Sequence, residues 1–159
     1  MNTVEIAYEA DIDHPVFSET YVRPLIMKVL DILGSDGIEV SCSFVSDATI
    51  QELNKTYRGK DEPTDILSFC QSDDQPWPDV FEESVRVLGD IIISVDAVYR
   101  NCTDFDVPVK EELPRLLIHG TLHLLGEEHV TNDSNEPMLV HQESILQTIL
   151  KEFPIEILR

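Results

Sequence analysis

Three of the chain's five histidines stand within one short run, His119-Gly120-Thr121-Leu122-His123-Leu124-Leu125-Gly126-Glu127-Glu128-His129, on a spacing that can close around a single metal ion. His119 and His123 are four residues apart, so a helix sets both imidazoles on one face, one turn from each other. Gly126 lacks a Cβ and can take the left-handed conformation that ends a helix, which lets the chain turn back and bring His129 to the same point. Three nitrogen ligands leave a fourth position open. A catalytic zinc uses that position for water, whereas a structural zinc is closed by four protein ligands. One zinc ion per chain, held by His119, His123 and His129, is the expected cofactor.

A zinc ion on three neutral imidazoles lowers the pKa of its water from 15.7 to about 7, so hydrolysis near neutral pH needs no dedicated base. The point matters because the spacing also matches the protease pattern H-E-x-x-H-x-x-G-x-x-H, except that position 120 is Gly where a protease keeps its general base. For a phosphodiester, the remaining requirement is to stabilise negative charge on the nonbridging oxygens. A guanidinium does this with two parallel hydrogen bonds, and Arg58, in a small basic group with Lys60 beside Gly59, is the candidate. The plainer alternative for Arg58 is a solvated side chain favoured by the macrodipole at a helix C-terminus. Asp65 and Ser68 either border the cleft or make local hydrogen bonds. Glu127 and Glu128 either aid proton transfer or shape the turn, and His14 and His141 are assigned to structure or surface.

Taken with the rest of the chain, these residues resemble the YbeY family, single-strand endoribonucleases of bacterial ribosomal RNA maturation with the signature H-G-x-L-H-L-x-G-x-D-H. The run from His119 to His129 departs from it once, at Glu128, which keeps a carboxylate beside the third histidine on a longer arm. A second block of likeness runs from Leu53 through Tyr57-Arg58-Gly59-Lys60 and Pro63-Thr64-Asp65 to Phe69, and a third is Leu88-Gly89-Asp90-Ile91-Ile92-Ile93-Ser94. The resemblance spans Ser46 to about Phe153. It implies a zinc-dependent endoribonuclease acting on single-stranded RNA in ribosomal RNA processing, including 3′-end processing of the small-subunit RNA and ribosome quality control. It also supports Arg58 as catalytic, and points to the small ribosomal subunit or ribosomal proteins as partners.

The chain's 159 residues, 42 % of them hydrophobic, suit one domain with a real core. Its start lacks the basic and apolar segments of a signal peptide and no apolar run approaches ~20 residues, so a cytoplasmic location is expected. Cys42, Cys70 and Cys102 are odd in number and widely spaced, which predicts reduced thiols in packing roles. The formal charge of −20 opposes long-range attraction to nucleic acid, so RNA binding has to be local or assisted by a basic partner. Acidic residues gather at Asp73-Asp74 and from Asp79 to Glu83, around Pro76, Trp77 and Pro78, as a solvated acidic face.

The elements that must position these residues alternate in type, predicting an α/β (α+β) single domain over 1–159, with a mixed sheet of about four strands flanked by helices. Val4, Ile6 and Tyr8 alternate as a first strand, and Val22, Leu25, Ile26, Val29 and Leu33 repeat as a helix stopping at Gly34. Pro24 leaves that helix's start between Ser18 and Arg23. Strands are expected over 40–45, 66–69 and 85–94, the last buried on both faces through Ile91-Ile92-Ile93. Asp47 is expected to cap a helix bearing Ile50, Leu53 and Tyr57 on one side and ended by Gly59. Further helices are predicted over 95–103, 109–125 and 136–153. In the helix of the histidines, Leu113, Leu116, Leu117, Gly120 and Leu124 form one apolar stripe and Ile118, Leu122 and Leu125 another. Glu112, Arg115, His119 and His123 make the polar line between them, and Gly120 predicts close approach of a neighbouring element. Two other classes share these ligands: a metallopeptidase-like hydrolase, and a noncatalytic ribosome-associated module with zinc as a folding staple.

Overall fold

Alternating apolar residues make the strands, and the computed structural model, which describes residues 1–9, 15–71 and 86–152, joins four of them into one sheet. In chain order they are β1 (Thr3–Tyr8), β2 (Ile38–Val45), β3 (Ile66–Cys70) and β4 (Arg86–Ser94). The spatial order is β1-β2-β4-β3. β1 and β4 both run parallel to β2, with Val4 opposite Val40 and Cys42 opposite Ile91. β3 runs antiparallel to β4, Ser68 opposite Ile91, which makes the sheet mixed and leaves β3 on its edge.

The helices are α1 (Glu19–Ile32), α2 (Asp47–Arg58), α3 (Val95–Phe105), α4 (Val109–Leu124) and α5 (Pro137–Glu152). Val40, Cys42, Phe44, Ile91 and Ile93 pack with the apolar sides of α1, α4 and α5 into the main core. A smaller core of Val45, Ile50 and Leu67, with Ile92 and Phe69 against it, joins α2 to the sheet. Consecutive isoleucines of β4 thus serve both cores, as a strand covered on both faces requires.

Local chemistry settles the helix ends. α1 starts at Glu19, and Pro24 lies inside it. The carbonyl of Thr20, which loses its donor to that proline, belongs to an exposed residue and can turn to water. Ser46, not Asp47, caps α2: its extended backbone lets its hydroxyl accept from Thr49 N at 3.3 Å. Asp47 is instead drawn to α3, accepting from the Ser94 hydroxyl at 2.7 Å and from Arg100 Nη1 at 2.6 Å. Gly59, at φ +73°, ends α2 in the left-handed conformation.

The thiols are free, but Cys70 is exposed and so departs from a packing role, while Cys42 is fully buried, where desolvation raises its pKa to about 12. No helix of the described residues is long and apolar enough to cross a membrane. His14, Val85, Phe153 and the acidic segment from Asp73 to Glu83 lie outside the described residues.

Candidate metal centre and groove

α4 is seated against the sheet by its glycine. A Cβ on Gly120 would lie 3.0 Å from Ile66 Cδ1 and 3.2 Å from Ile91 Cδ1, so only glycine permits this helix-to-strand approach without shifting a neighbour. Beside it on the same helix, His119 and His123 stand half-buried. Glu112 departs from the open polar line: it is buried, accepting from Asn101 Nδ2 at 3.0 Å and Arg115 Nη1 at 3.1 Å. Burial raises its pKa, and the hydrogen bonds from Asn101 and Arg115 oppose that rise.

The helix closes in a Schellman motif. Glu127 N donates to Leu122 O at 2.9 Å and Gly126 N to His123 O at 3.0 Å, with Gly126 at φ +97°. This reversal carries His129 back, so that one nitrogen from each of His119, His123 and His129 lies within 4.8 Å of the others.

The donor set fits a cation. His119 Nδ1 lies 2.6 Å from Gln142 Oε1, and His129 Nδ1 lies 2.7 Å from Thr131 O. Carbonyl oxygens only accept, so both protons sit on Nδ1 and both Nε2 lone pairs are free. His123 makes a backbone hydrogen bond with Glu127 that favours its proton, and its Nε2 is 3.0 Å from His119 Nε2. Two imidazole nitrogens so close share either a proton or a cation. Burial, the largest cause, lowers the pKa of both His119 and His123, and for His123 the neighbouring imidazoles His119 and His129 add to it. The neutral form required of a ligand is thereby favoured.

Behind His119 stands a residue that sequence reasoning missed. Gln142 on α5 is buried, its Oε1 turned to His119 and its Nε2 donating to Glu143 Oε2 at 3.2 Å. Glu143 in turn accepts from Arg115 Nε at 3.1 Å and Nη2 at 3.2 Å. These bonds fix which end of the Gln142 amide faces the imidazole. The available signal was an amide lying in the apolar stripe of Met138, Ile145 and Ile149.

Across from the histidines, the end of α2, the loop after it and edge strand β3 complete a groove of about 880 Å³. Arg58, Lys60, Ser68 and Glu128 line it together with all three histidines. Arg58 Nη2 donates to Ser68 O at 2.7 Å, and its guanidinium lies over the Phe69 ring, 5.3 Å from the centroid. The following loop is tied down by buried Asn54, which donates to Glu62 O at 2.9 Å. Asp65 instead accepts from Asn101 at 3.0 Å, while its charge favours protonated His119. Glu127 turns to His141, 2.9 Å from its Nδ1, so the two carboxylates of the turn part ways.

A family model described as Endoribonuclease YbeY matches residues 8–150. The Endoribonuclease YbeY of Treponema denticola is 40 % identical over 147 residues, covering 91 % of this chain and 92 % of that one. That of Persephonella marina is 36 % identical over 137 residues, covering 86 % of each chain. The solution structure of TM1509 from Thermotoga maritima superimposes with a TM-score of 0.63 over 94 % of this chain and 91 % of that one. At 24 % identity, this last likeness shows the fold alone.

Proposed function

The chain belongs to the Endoribonuclease YbeY family, and we propose that it hydrolyses single-stranded RNA at a zinc ion held by His119, His123 and His129, in ribosomal RNA maturation. The observation that carries this reading is the convergence of three histidine nitrogens within 4.8 Å in a groove that also contains a guanidinium. When bound, zinc supplies Lewis acidity and a water whose pKa is near 7.

The chain's own groups do the rest. The three histidines, all lining the groove, would hold the ion. Arg58 binds a nonbridging phosphate oxygen: one of its nitrogens is committed to Ser68 O, which aims the guanidinium and leaves its other N–H groups for the substrate. As charge builds on the phosphate oxygens in the transition state, a donor already in place stabilises it without reorganisation. Glu128 is the carboxylate of the turn that lines the groove, and it is proposed as the group that accepts or returns a proton there.

A peptidase reading is disfavoured by more than the residue type at 120. Position 120 faces Ile66 and Ile91 in the core, so a longer side chain there would press into the sheet. The net charge of −20 supports a basic partner, and ribosomal proteins of the small subunit, found by electrostatic steering in the cytoplasm, are the proposed one.

The test combines metal analysis with cleavage assays on single-stranded RNA, duplex RNA and casein. One zinc per chain and cleavage of single-stranded RNA alone is the expected result. Casein hydrolysis, or a metal-replete protein inert on RNA, would overturn the reading.

A further inference from the structure

Burial along helix α2 falls off toward its C-terminal end. Ile50 is fully buried, Leu53 on the same side is partly buried, and Tyr57, one turn further, is 66 % exposed. The apolar stripe therefore ends in an exposed aromatic ring, among the residues that line the groove with the three histidines. The ring is not loose. It packs against Phe69 of β3, centroids 5.4 Å apart and planes at 64°. Phe69 is in turn covered by the Arg58 guanidinium at 5.3 Å. The result is a tyrosine held on one side, open on the other, adjacent in sequence to the phosphate-binding candidate and three residues from Lys60.

We propose that Tyr57, braced by Phe69, is a nucleobase-stacking platform, which holds one unpaired base of the RNA while Arg58 and Lys60 take neighbouring phosphates. The proposal rests on the reading of the substrate as RNA and names how that substrate is gripped. A protein of charge −20 gains little from releasing counterions, so its grip needs a contribution that salt does not screen. Stacking of a base on an aromatic face is such a contribution, and it tolerates any base because every base has a π-face. It also accounts for single-strand preference, since the faces of paired bases are covered by their neighbours in the helix.

The experiment compares Tyr57→Ala, Tyr57→Leu, Tyr57→Phe and Tyr57→Trp in the zinc-loaded protein, on a short single-stranded RNA carrying 2-aminopurine and on the same RNA with an abasic position. Tyr57→Ala and Tyr57→Leu should raise KM about five- to a hundredfold, the range set by one lost stack, with kcat within about twofold and metal content unchanged. Phe and Trp should retain wild-type KM and quench 2-aminopurine on binding. Affinity should fall equally at every ionic strength for Tyr57→Ala, leaving the salt slope intact, whereas Lys60→Ala should reduce that slope by about one. The abasic RNA should erase the difference between wild type and Tyr57→Ala.

If wild type cleaves the RNA and Tyr57→Ala matches it in KM, the platform is overturned while the function stands. If wild type neither binds nor cleaves the RNA, both fall. Loss of small-subunit binding in Tyr57→Ala with normal oligonucleotide KM would replace the platform with a protein-docking contact.

Discussion

The groove has two walls of opposite build. On the α4 side, His119 is backed by Gln142, Gln142 by Glu143 and Glu143 by Arg115, a line of hydrogen bonds between half-buried and buried groups. On the α2 and β3 side, Tyr57, Arg58 and Lys60 are exposed, and Arg58 is held by one carbonyl and one ring face. The difference suits what each wall is proposed to hold. A metal ion demands nitrogens placed to a fraction of an ångström, and that precision comes from locking each imidazole through its second nitrogen. A single strand of RNA varies in base and in backbone path, so long cationic side chains and an exposed ring suit it better than a rigid socket.

Breaking the rigid wall should therefore abolish binding of the ion, while breaking the open wall should spare the ion and slow the reaction. The largest effect is expected for His123→Ala, which should lower bound zinc well below one equivalent by metal analysis and abolish RNA cleavage, since two imidazoles cannot complete the site. Full metal and activity in that variant would refute the three-histidine site. Arg58→Ala should keep its zinc and its circular dichroism spectrum, yet lose about 2–4 kcal/mol of transition-state stabilisation in kcat/KM. A loss of less than about threefold would return Arg58 to the role of a solvated helix-end cation.

The contrast is sharpened by changes that leave every proposed ligand in place. Gly120→Val pushes side-chain atoms into Ile66 and Ile91, so denaturant unfolding should show a loss of about 1–3 kcal/mol, with weaker metal binding as α4 lifts from the sheet. Gln142→Ala should weaken zinc affinity about 10- to 100-fold in a chelator competition, with Gln142→Glu restoring it only in part, because a carboxylate still accepts from His119 Nδ1 but sets its other oxygen against Glu143 Oε2. Equal affinities in all three proteins would show that the Gln142 contact does not tune the site.

The smallest effect is expected at the far end of α2, where Asp47 meets Ser94 and Arg100. The hydrogen bond from Arg100 is the main cause that holds the Asp47 carboxyl below its ordinary pKa of 3.8. A group depressed on folding adds stability above its unfolded pKa and loses it as pH falls through the folded one. Asp47→Asn should therefore cost about 0.5–1 kcal/mol at pH 7, screened by the half-exposed Arg100, and the gap to wild type should close below about pH 4. A gap independent of pH would mean that the contact acts through packing and not through charge.

Much of this was readable in the linear chain because the forces involved are local. Two histidines one helical turn apart, and a glycine able to reverse the chain, define the convergence of His119, His123 and His129 within one short run. Alternation and helical periodicity likewise marked the strands and helices, because a side chain's face depends on its own backbone's repeat. Gly120 was legible as a close approach to the sheet, though not that Ile66 and Ile91 are the residues it meets. Even within local range a competing partner can win: Ser46 and Asp47 are both good caps, and Ser46 took the role while Asp47 was drawn to Arg100 and Ser94, distant in sequence.

Contacts between elements far apart in the chain were decided only in three dimensions. The run from His119 to His129 carries the geometry of a metal site, but the tautomer of His119 depends on Gln142 of another helix, and nothing in local spacing pairs them. Tyr57 looked like one more residue of α2's buried stripe. Its ring meets Phe69 of edge strand β3 yet stays 66 % exposed, an outcome of tertiary packing that no helical period contains. The reason is physical: periodicity reports which side of an element is apolar, whereas what covers that side is set by packing among distant elements.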